Sequence, residues 1–161
     1  MRHVTDKKEI RQMQYYIQLA AEEAKKSTCK KSQRGAVIVK DDEIIGKGFN
    51  RVTFEKLCNP CVREEIKDNS RVELCSAIHA EQMAVIDAVN RGKSLLGSRM
   101  YHIKVKDGKM VPCGKPSCTV CSRIIHESGI SEFVLWHEEG HAIYPSEELN
   151  RLSFEYFLRG R

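Results

Sequence analysis

The fold is most constrained by two short motifs, His79-Ala80-Glu81 and Pro116-Ser117-Cys118-Thr119-Val120-Cys121. One imidazole and two thiols make a three-ligand metal site. The carboxylate beside the imidazole is not needed as a ligand and can act as an acid or base. A structural zinc site is usually closed by four protein ligands, whereas a catalytic site keeps one position open for water. Three ligands with a spare Glu81 therefore indicate a site that activates water.

The spacing of these ligands predicts two helices whose N-termini meet. His79 and Glu81 are two residues apart and do not share a helix face, so they reach one point only at the mouth of a helix. Cys118 and Cys121 are three apart and share a face at the start of the next predicted helix. The amides and dipoles of two helix N-termini favour thiolates and lower thiol pKa values. We therefore expect the metal to lie between two helix N-termini.

The periodicity of apolar residues predicts helices that alternate with strands. The predicted helices cover residues 10–24, residues from the His79 motif to Gly92, and residues 118–128 and 146–158. The predicted strands cover residues 36–39, 44–49, 100–105 and 133–136. The helix that follows His79 is apolar almost all round, which is typical of a buried helix. Residues 50–75 look irregular, and Asp107-Gly108 predicts a turn. This alternation favours an α/β class with helices on both faces of one sheet.

Composition limits the class of protein further. A length of 161 residues suits one domain, residues 1–161, and 41% apolar with 30% charged residues is ordinary for a globular chain. We see no secretory signal and no apolar run of about 18 residues, so a soluble cytoplasmic protein without a membrane partner is expected. The formal charge of +5 is weak support for a nucleic-acid partner.

The expected chemistry is hydrolytic. Zinc lowers the pKa of a bound water towards about 7, which gives hydroxide at neutral pH. Glu81 would take the water proton and pass it to a ring nitrogen and then to a leaving amine. Two other interpretations remain: a structural zinc site with Cys113 as fourth ligand, and a redox pair formed by Cys118 and Cys121. Without a ligand role, Cys113 would be a bystander near the ligand loop.

The chain resembles the deoxycytidylate (dCMP) deaminase branch of the zinc-dependent cytidine deaminase superfamily, whose signature is His-x-Glu followed by Pro-Cys-x-x-Cys. The similarity covers about residues 10–136. It is carried by Ser27–Cys29, Arg34–Asp41, Ile45–Asn50, His79–Glu81, Ser122–Ile125 and Ser128–Ile130. The resemblance implies a three-layer α/β/α fold with a central mixed five-stranded sheet, a catalytic zinc, a homo-oligomer (dimer or hexamer) and deamination of dCMP to dUMP.

The resemblance also implies roles in substrate binding. Asn50 would hydrogen-bond the sugar, although it could equally be a turn residue, and Ala80 would offer backbone contacts to the base. Ser117, in the ligand loop, is a further substrate-binding candidate. Arg34 is another substrate-binding candidate. Among basic residues, Arg34, Arg51, Lys56 or Arg63 could hold a phosphate, and the sequence does not choose between them.

Three departures from the family pattern bear on the substrate. Ser117 separates Pro116 from Cys118, Arg51 stands where a glycine is usual, and Met83 stands where the family has asparagine. Met83 at this position is more similar to the tRNA adenosine deaminases. One alternative is therefore deamination of another base: tRNA adenosine, guanine or a modified cytosine. A second alternative, from another class, is a non-catalytic binding module stabilised by zinc.

Four further cysteines form a candidate second zinc site. Cys58-Asn59-Pro60-Cys61 has zinc-knuckle spacing, and with Cys29 and Cys75 it would supply the four thiolates of a closed structural site. Several relatives look to have cysteines in comparable places. The alternative is a set of buried free cysteines.

Overall fold

The computed structural model describes residues 1–66 and 72–159, which build one mixed sheet flanked by helices. The helices are α1 (Lys7–Ala24), α2 (Ala80–Asn90), α3 (Thr119–Glu127) and α4 (Ser146–Arg159). The strands are β1 (Arg2–His3), β2 (Gln33–Lys40), β3 (Glu43–Phe49), β4 (Arg51–Val52), β5 (Ala77–Ile78), β6 (Arg99–Lys106), β7 (Lys109–Val111), β8 (Glu132–His137) and β9 (Gly140–Pro145). Within these described ranges, no helix is both long enough and apolar enough to cross a bilayer.

The main sheet has the strand order β1-β9-β8-β6-β2-β3, and β7 pairs with β6 beside this path. Its body consists of the five strands of six to eight residues, β2, β3, β6, β8 and β9. β6 and β8 run parallel, and the other neighbours run antiparallel, so the sheet is mixed. The predicted α/β class with a five-stranded mixed sheet is confirmed, and the short strands β1 and β7 extend it to seven.

Two glycines show that α1 and α2 cover opposite faces of the sheet. A Cβ on Gly35 of β2 would lie 1.9 Å from the Ala20 carbonyl oxygen in α1, and a Cβ on Gly48 of β3 would lie 2.2 Å from the Ala80 carbonyl oxygen in α2. Gly48 lies opposite Ala36, the chain neighbour of Gly35. Because successive strand residues point to opposite faces, α1 packs on one face and α2 on the other.

The expectation that α2 is buried all round is wrong. Its inner face is made of small residues, with Ala80, Ala84 and Ala88 fully buried, while Ile86 and Val89 are 42% and 59% exposed. The small side chains and the glycines of β3 bring the backbones of α2 and β3 together. This close approach fixes the height at which the first turn of α2 stands above the sheet.

A methyl group at the contact between α2 and β3 is expected to destabilise the protein. In Gly48→Ala the new Cβ would lie 2.2 Å from the Ala80 carbonyl oxygen and 2.4 Å from the Ala84 nitrogen, both backbone atoms that cannot rotate away. We expect a loss of about 1–3 kcal/mol of unfolding free energy, the usual range for overpacking. Chemical denaturation measures it. The matched control is Gly114→Ala, where a Cβ meets nothing within 4 Å; equal stability of the two variants would contradict the prediction.

The structure adds elements that the sequence pattern did not reveal. β9 was not predicted, although it forms a hairpin with β8 through Glu132–His137 and Gly140–Pro145. The segment read as irregular contains β4, which pairs with β5, and short 3₁₀ turns at 55–57 and 72–74; residues 67–71 of that segment lie outside the described part of the chain. The predicted turn at Asp107-Gly108 is confirmed, with positive φ at both residues, and it joins β6 to β7.

Candidate metal centre

The two sequence motifs meet at the first turns of α2 and α3. His79 is the N-cap of α2, where its own backbone N–H donates to the side chain of Gln82 over 2.9 Å. Cys118 is the N-cap of α3, and its sulfur accepts from the backbone N–H of Cys121 over 3.4 Å. Both helices therefore present their N-terminal amides to the same point, as the ligand spacing predicted.

Three donor atoms converge at this point. His79 Nδ1 lies 3.1 Å from Cys121 Sγ and 3.4 Å from Cys118 Sγ, and the two sulfurs are 3.1 Å apart. Across residues 1–66 and 72–159, these side chains form the one group of three or more His, Cys, Asp or Glu donors that lie within 4.8 Å of one another. Two thiols and an imidazole are the donor set that zinc prefers, and their closeness lets one ion reach all three.

The electrostatics of these three side chains favour an ion pair between Cys118 and His79. The hydrogen bond between the sulfurs of Cys118 and Cys121, together with the neighbouring His79, outweighs burial and lowers the pKa of Cys118 to about 5. Burial alone would lower the pKa of His79, but hydrogen bonds to Cys118 and Cys75 outweigh burial and raise that pKa to about 10. The hydrogen bond to Cys118, together with burial, raises the pKa of Cys121 well above its ordinary value. These contacts favour a thiolate at Cys118 and a proton on His79.

Zinc binding is expected to release about two protons at pH 7. The bound form needs a neutral imidazole and two thiolates, so His79 and Cys121 each give up one proton while Cys118 has already lost its own. Zinc affinity should therefore rise with pH between about pH 5, the pKa of Cys118, and about pH 10, the pKa of His79. Calorimetry in buffers of different ionisation enthalpy counts the protons. A Cys75→Ser background removes a neighbour that titrates near pH 7; zinc affinity that stays flat with pH would contradict this account.

Glu81 stands beside the ligand cluster without belonging to it. It lies in the first turn of α2 and is only 8% exposed. Burial opposes ionisation of its carboxyl group, but the neighbouring imidazoles of His102 and His79 outweigh burial and lower its pKa. The site thus combines three possible metal ligands with one ionised carboxylate that is free to move a proton.

A cavity of about 400 Å³ opens in front of the ligand cluster and Glu81. This volume falls in the usual range for small-molecule sites. Among the described residues that line this cavity, Glu81 is the one carboxylate. Four lining side chains are cationic: Lys31, Arg34, Arg63 and Lys115. Of the sequence candidates for phosphate binding, Arg34 and Arg63 line the cavity, and Arg51 and Lys56 do not. The cavity therefore favours an anionic ligand.

The other predicted substrate-binding residues lie at or near this cavity. Asn50 and Ser117 line it, and Ala80 is fully buried at the start of α2. The Asn50 side chain already accepts from the backbone N–H of Arg34 over 2.8 Å and donates to the carbonyl oxygen of Ser32 over 2.7 Å. An amide group has one further N–H and one further lone pair, so Asn50 can brace the loop and still contact a ligand.

The four cysteines of the candidate second site all line the same cavity, Cys29, Cys58, Cys61 and Cys75. Although all four lie in the described part of the chain, no three of their sulfurs fall within 4.8 Å of one another. Cys75 instead contacts the ligand cluster, where a hydrogen bond with His79 lowers its pKa to about 7. Cys58 Sγ lies 3.2 Å from the hydroxyl oxygen of Ser76. A second zinc site stays a prediction.

Sequence reasoning missed several polar residues that line the cavity, among them Lys31, Lys115 and His102, and of these His102 lies beside Glu81. His102 lies on β6 opposite Ala36, on the face that α2 covers, and is 3% exposed. Its ring stacks on Phe133, and its Nδ1 lies 3.6 Å from the sulfur of Cys113, which was set aside as a bystander. The available signal was a histidine in a predicted strand whose other residues, apart from Lys104, are apolar or aromatic.

Comparison with known proteins identifies relatives across most of the chain. Residues 10–137 match the family model described as the cytidine and deoxycytidylate deaminase zinc-binding region. A deoxycytidylate deaminase of Mycobacterium phage D29 is 29% identical over 75% of this chain and 91% of its own length. A deoxycytidylate deaminase of Saccharomyces cerevisiae is 31% identical over 74% of this chain but only 36% of its own length. The crystal structure of the dCMP deaminase from cyanophage S-TIM5 with dCMP and dUMP shares the fold, with a TM-score of 0.53, 22% identity, and coverage of 80% of this chain and 82% of that one.

Proposed function

The chain belongs to the cytidine and deoxycytidylate deaminase family, and we propose that it is a zinc-dependent hydrolase that converts dCMP to dUMP and ammonia. The observation that carries this proposal is the pairing of a three-donor cluster with a buried carboxylate that is not part of it. A purely structural zinc site has no use for Glu81, because its coordination is closed by protein ligands.

The proposed roles follow from position. His79, Cys118 and Cys121 would hold the zinc, which when bound would supply Lewis-acid chemistry. Glu81 takes a proton from the attacking water molecule while the water oxygen bonds to C4 of the cytosine ring, and delivers this proton to N3. Glu81 then moves the remaining proton of that oxygen to the exocyclic nitrogen, so that the C4–N bond breaks, ammonia leaves and the oxygen stays on C4 as a carbonyl. One water is consumed and one ammonia is released.

The charge of the cavity supports a nucleotide rather than a nucleoside as substrate. Four cations line the described part of the cavity against one carboxylate, and that carboxylate has a catalytic task. A phosphate group would therefore enter a positive environment, in which charge-assisted hydrogen bonds are strong. The curated relatives from the phage and from yeast carry the name deoxycytidylate deaminase, which agrees with a monophosphate.

Removal of the guanidinium at the cavity wall is expected to weaken nucleotide binding selectively. In Arg34→Met the KM for dCMP should rise by about 10-fold or more, because a hydrogen bond to a charged group contributes about 1.5–3 kcal/mol. The kcat/KM for deoxycytidine, which has no phosphate, should change little. The matched control is Arg51→Met, since Arg51 is exposed and lies outside the cavity. An equal loss on the nucleotide and the nucleoside would show that Arg34 does not bind the phosphate.

The substrate is tested by ammonia release from the zinc-loaded protein with dCMP, CMP, deoxycytidine, cytidine, adenosine, guanine and a tRNA anticodon stem-loop. Turnover of dCMP above all others supports the proposal. Turnover only on the stem-loop, with affinity that falls steeply as salt rises, would replace it with RNA editing, because nucleic-acid binding depends strongly on counterion release.

Several finer features belong to the same proposal. The chain would act as a single domain over residues 1–161, in the cytoplasm, and as a dimer or hexamer. A second, structural zinc would be held by Cys29, Cys58, Cys61 and Cys75, which all line one cavity. No three of these sulfurs lie within 4.8 Å of one another, so they would have to move closer together to hold one ion. Zinc analysis and mass measurement in solution test the metal count and the assembly.

A further inference from the structure

His102 is a buried histidine with no part in the reaction proposed above. We propose that it is a positioning residue, which donates a hydrogen bond from Nε2 to the Glu81 carboxylate and is itself oriented by the thiol of Cys113. This inference rests on the proposed function, since it takes Glu81 to be the group that carries protons.

The first observation is an unpartnered polar atom beside Glu81. His102 is 3% exposed, and its Nε2 is one of the few buried side-chain nitrogen or oxygen atoms in the described residues that lack a hydrogen-bond partner. A buried polar group without a partner costs free energy, so each such group calls for an explanation. Nε2 lies 3.7 Å from Oε1 of Glu81. The carboxylate of the proposed proton carrier therefore lies 3.7 Å from a buried ring nitrogen that has no hydrogen-bond partner.

The second observation concerns the other ring nitrogen. Cys113 Sγ lies 3.6 Å from Nδ1 of His102, within reach of a hydrogen bond to sulfur. Burial raises the pKa of the Cys113 thiol, so it keeps its one proton, which can be donated to Nδ1 at 3.6 Å or to the His102 carbonyl oxygen at 3.9 Å. Burial also lowers the pKa of His102 to about 4, which leaves the ring neutral with one N–H. If Nδ1 accepts, the single N–H lies on Nε2 and points towards Glu81.

The ring is also fixed in orientation. His102 stacks on Phe133 with ring centroids 6.0 Å apart, and its strand β6 is paired on both sides, with β2 and β8. A distance of 3.7 Å is longer than a hydrogen bond. Catalytic hydrogen bonds are often long in unliganded structures and shorten in the substrate complex, which a small turn of the Glu81 carboxylate would achieve. His102 would then hold that carboxylate in the one orientation that reaches both water and base.

The tautomer of His102 tests the arrangement without any turnover. In protein labelled with ¹⁵N-histidine and loaded with zinc, long-range ¹H–¹⁵N correlation spectra show which ring nitrogen carries the proton, and the signals lost in His102→Gln assign the residue. We expect Nε2 to be protonated and Nδ1 unprotonated between about pH 6 and 8. A proton on Nδ1, or a mixture of tautomers, would overturn the proposal. This result is independent of the substrate, so it separates failure of the inference from failure of the proposed function.

Kinetics then test the role. His102→Phe keeps the ring and its stacking but removes both nitrogens, and kcat should fall by about 10- to 100-fold, the usual cost of losing a supporting hydrogen bond, with KM changed less than about threefold. His102→Gln places an amide N–H near the position of Nε2 and should recover most of the lost kcat. The control is His141→Phe, since His141 stacks on Trp136 away from the cavity lining. A Phe variant within about twofold of wild-type kcat, or a Gln variant no faster than the Phe variant, would overturn the proposal.

Discussion

Replacement of Glu81 by Gln is expected to lower kcat/KM for dCMP by about 100- to 10,000-fold, the usual contribution of a general acid–base group. Gln has nearly the shape of Glu but cannot accept the proton of the attacking water or return it to the base. Zinc should stay bound at its wild-type content, because Glu81 lies beside the three donors and is not one of them. Steady-state kinetics and metal analysis of the same preparation measure both quantities.

The matched control for this variant is Glu127→Gln, which makes the same chemical change on the exposed end of α3. It should keep wild-type turnover and zinc content. If Glu81→Gln lost zinc or failed to fold, Glu81 would be a ligand or a structural residue. If it kept turnover, another group would have to move the protons, and the mechanism proposed here would be wrong.

The second large effect is expected from Cys118→Ser. Cys118 is the thiolate of the ligand cluster, with a pKa of about 5, and a serine hydroxyl does not ionise near neutral pH. We expect the zinc content to fall by one ion per chain and turnover to fall to background. The thermal midpoint measured with excess zinc should also decrease, because an ion that binds only the folded state stabilises that state. Metal analysis of purified protein and thermal denaturation with and without added zinc are the measurements.

A cysteine outside the cluster supplies the control for the metal count. Cys113 is buried near the ligand loop, but it is not among the three converging donors. Cys113→Ser should therefore retain the full zinc content. Equal zinc loss in both variants would make Cys113 a ligand, as the alternative structural site requires. A wild-type content of two ions that drops to one in Cys118→Ser would support the second zinc site as well.

The convergence of the site could be predicted because its spacing carries geometric information. Residues two apart reach one point only at a helix mouth, and residues three apart share a face, so the two motifs already required two helix N-termini to meet. The structure places His79 at the N-cap of α2 and Cys118 at the N-cap of α3. The limits of the helices were predicted from the periodicity of apolar residues, and those of α4 were correct to within one residue at each end.

The features that escaped prediction depend on contacts between distant parts of the chain. The exposure of Ile86 and Val89 follows from the approach of α2 to the glycines of β3, which periodicity within α2 does not contain. His102 reaches Glu81 only because β6 lies next to β2 under α2. Cys75 was grouped with Cys29, Cys58 and Cys61 in the candidate second zinc site, and nothing in the sequence indicated that the fold also brings it to His79. Local sequence patterns predict helices and strands, but the pairing of strands and the packing of helices on the sheet decide which side chains meet.

The most direct test of the central claim is the reaction of zinc-loaded wild-type protein with dCMP in H₂¹⁸O, with the products analysed by mass spectrometry. Hydrolytic deamination predicts dUMP that carries one ¹⁸O on the base, formed together with an equal amount of ammonia, and no product from Glu81→Gln on the same timescale. Stoichiometric zinc binding with no dUMP formed would contradict the account, and would leave the chain as a zinc-stabilised binding module.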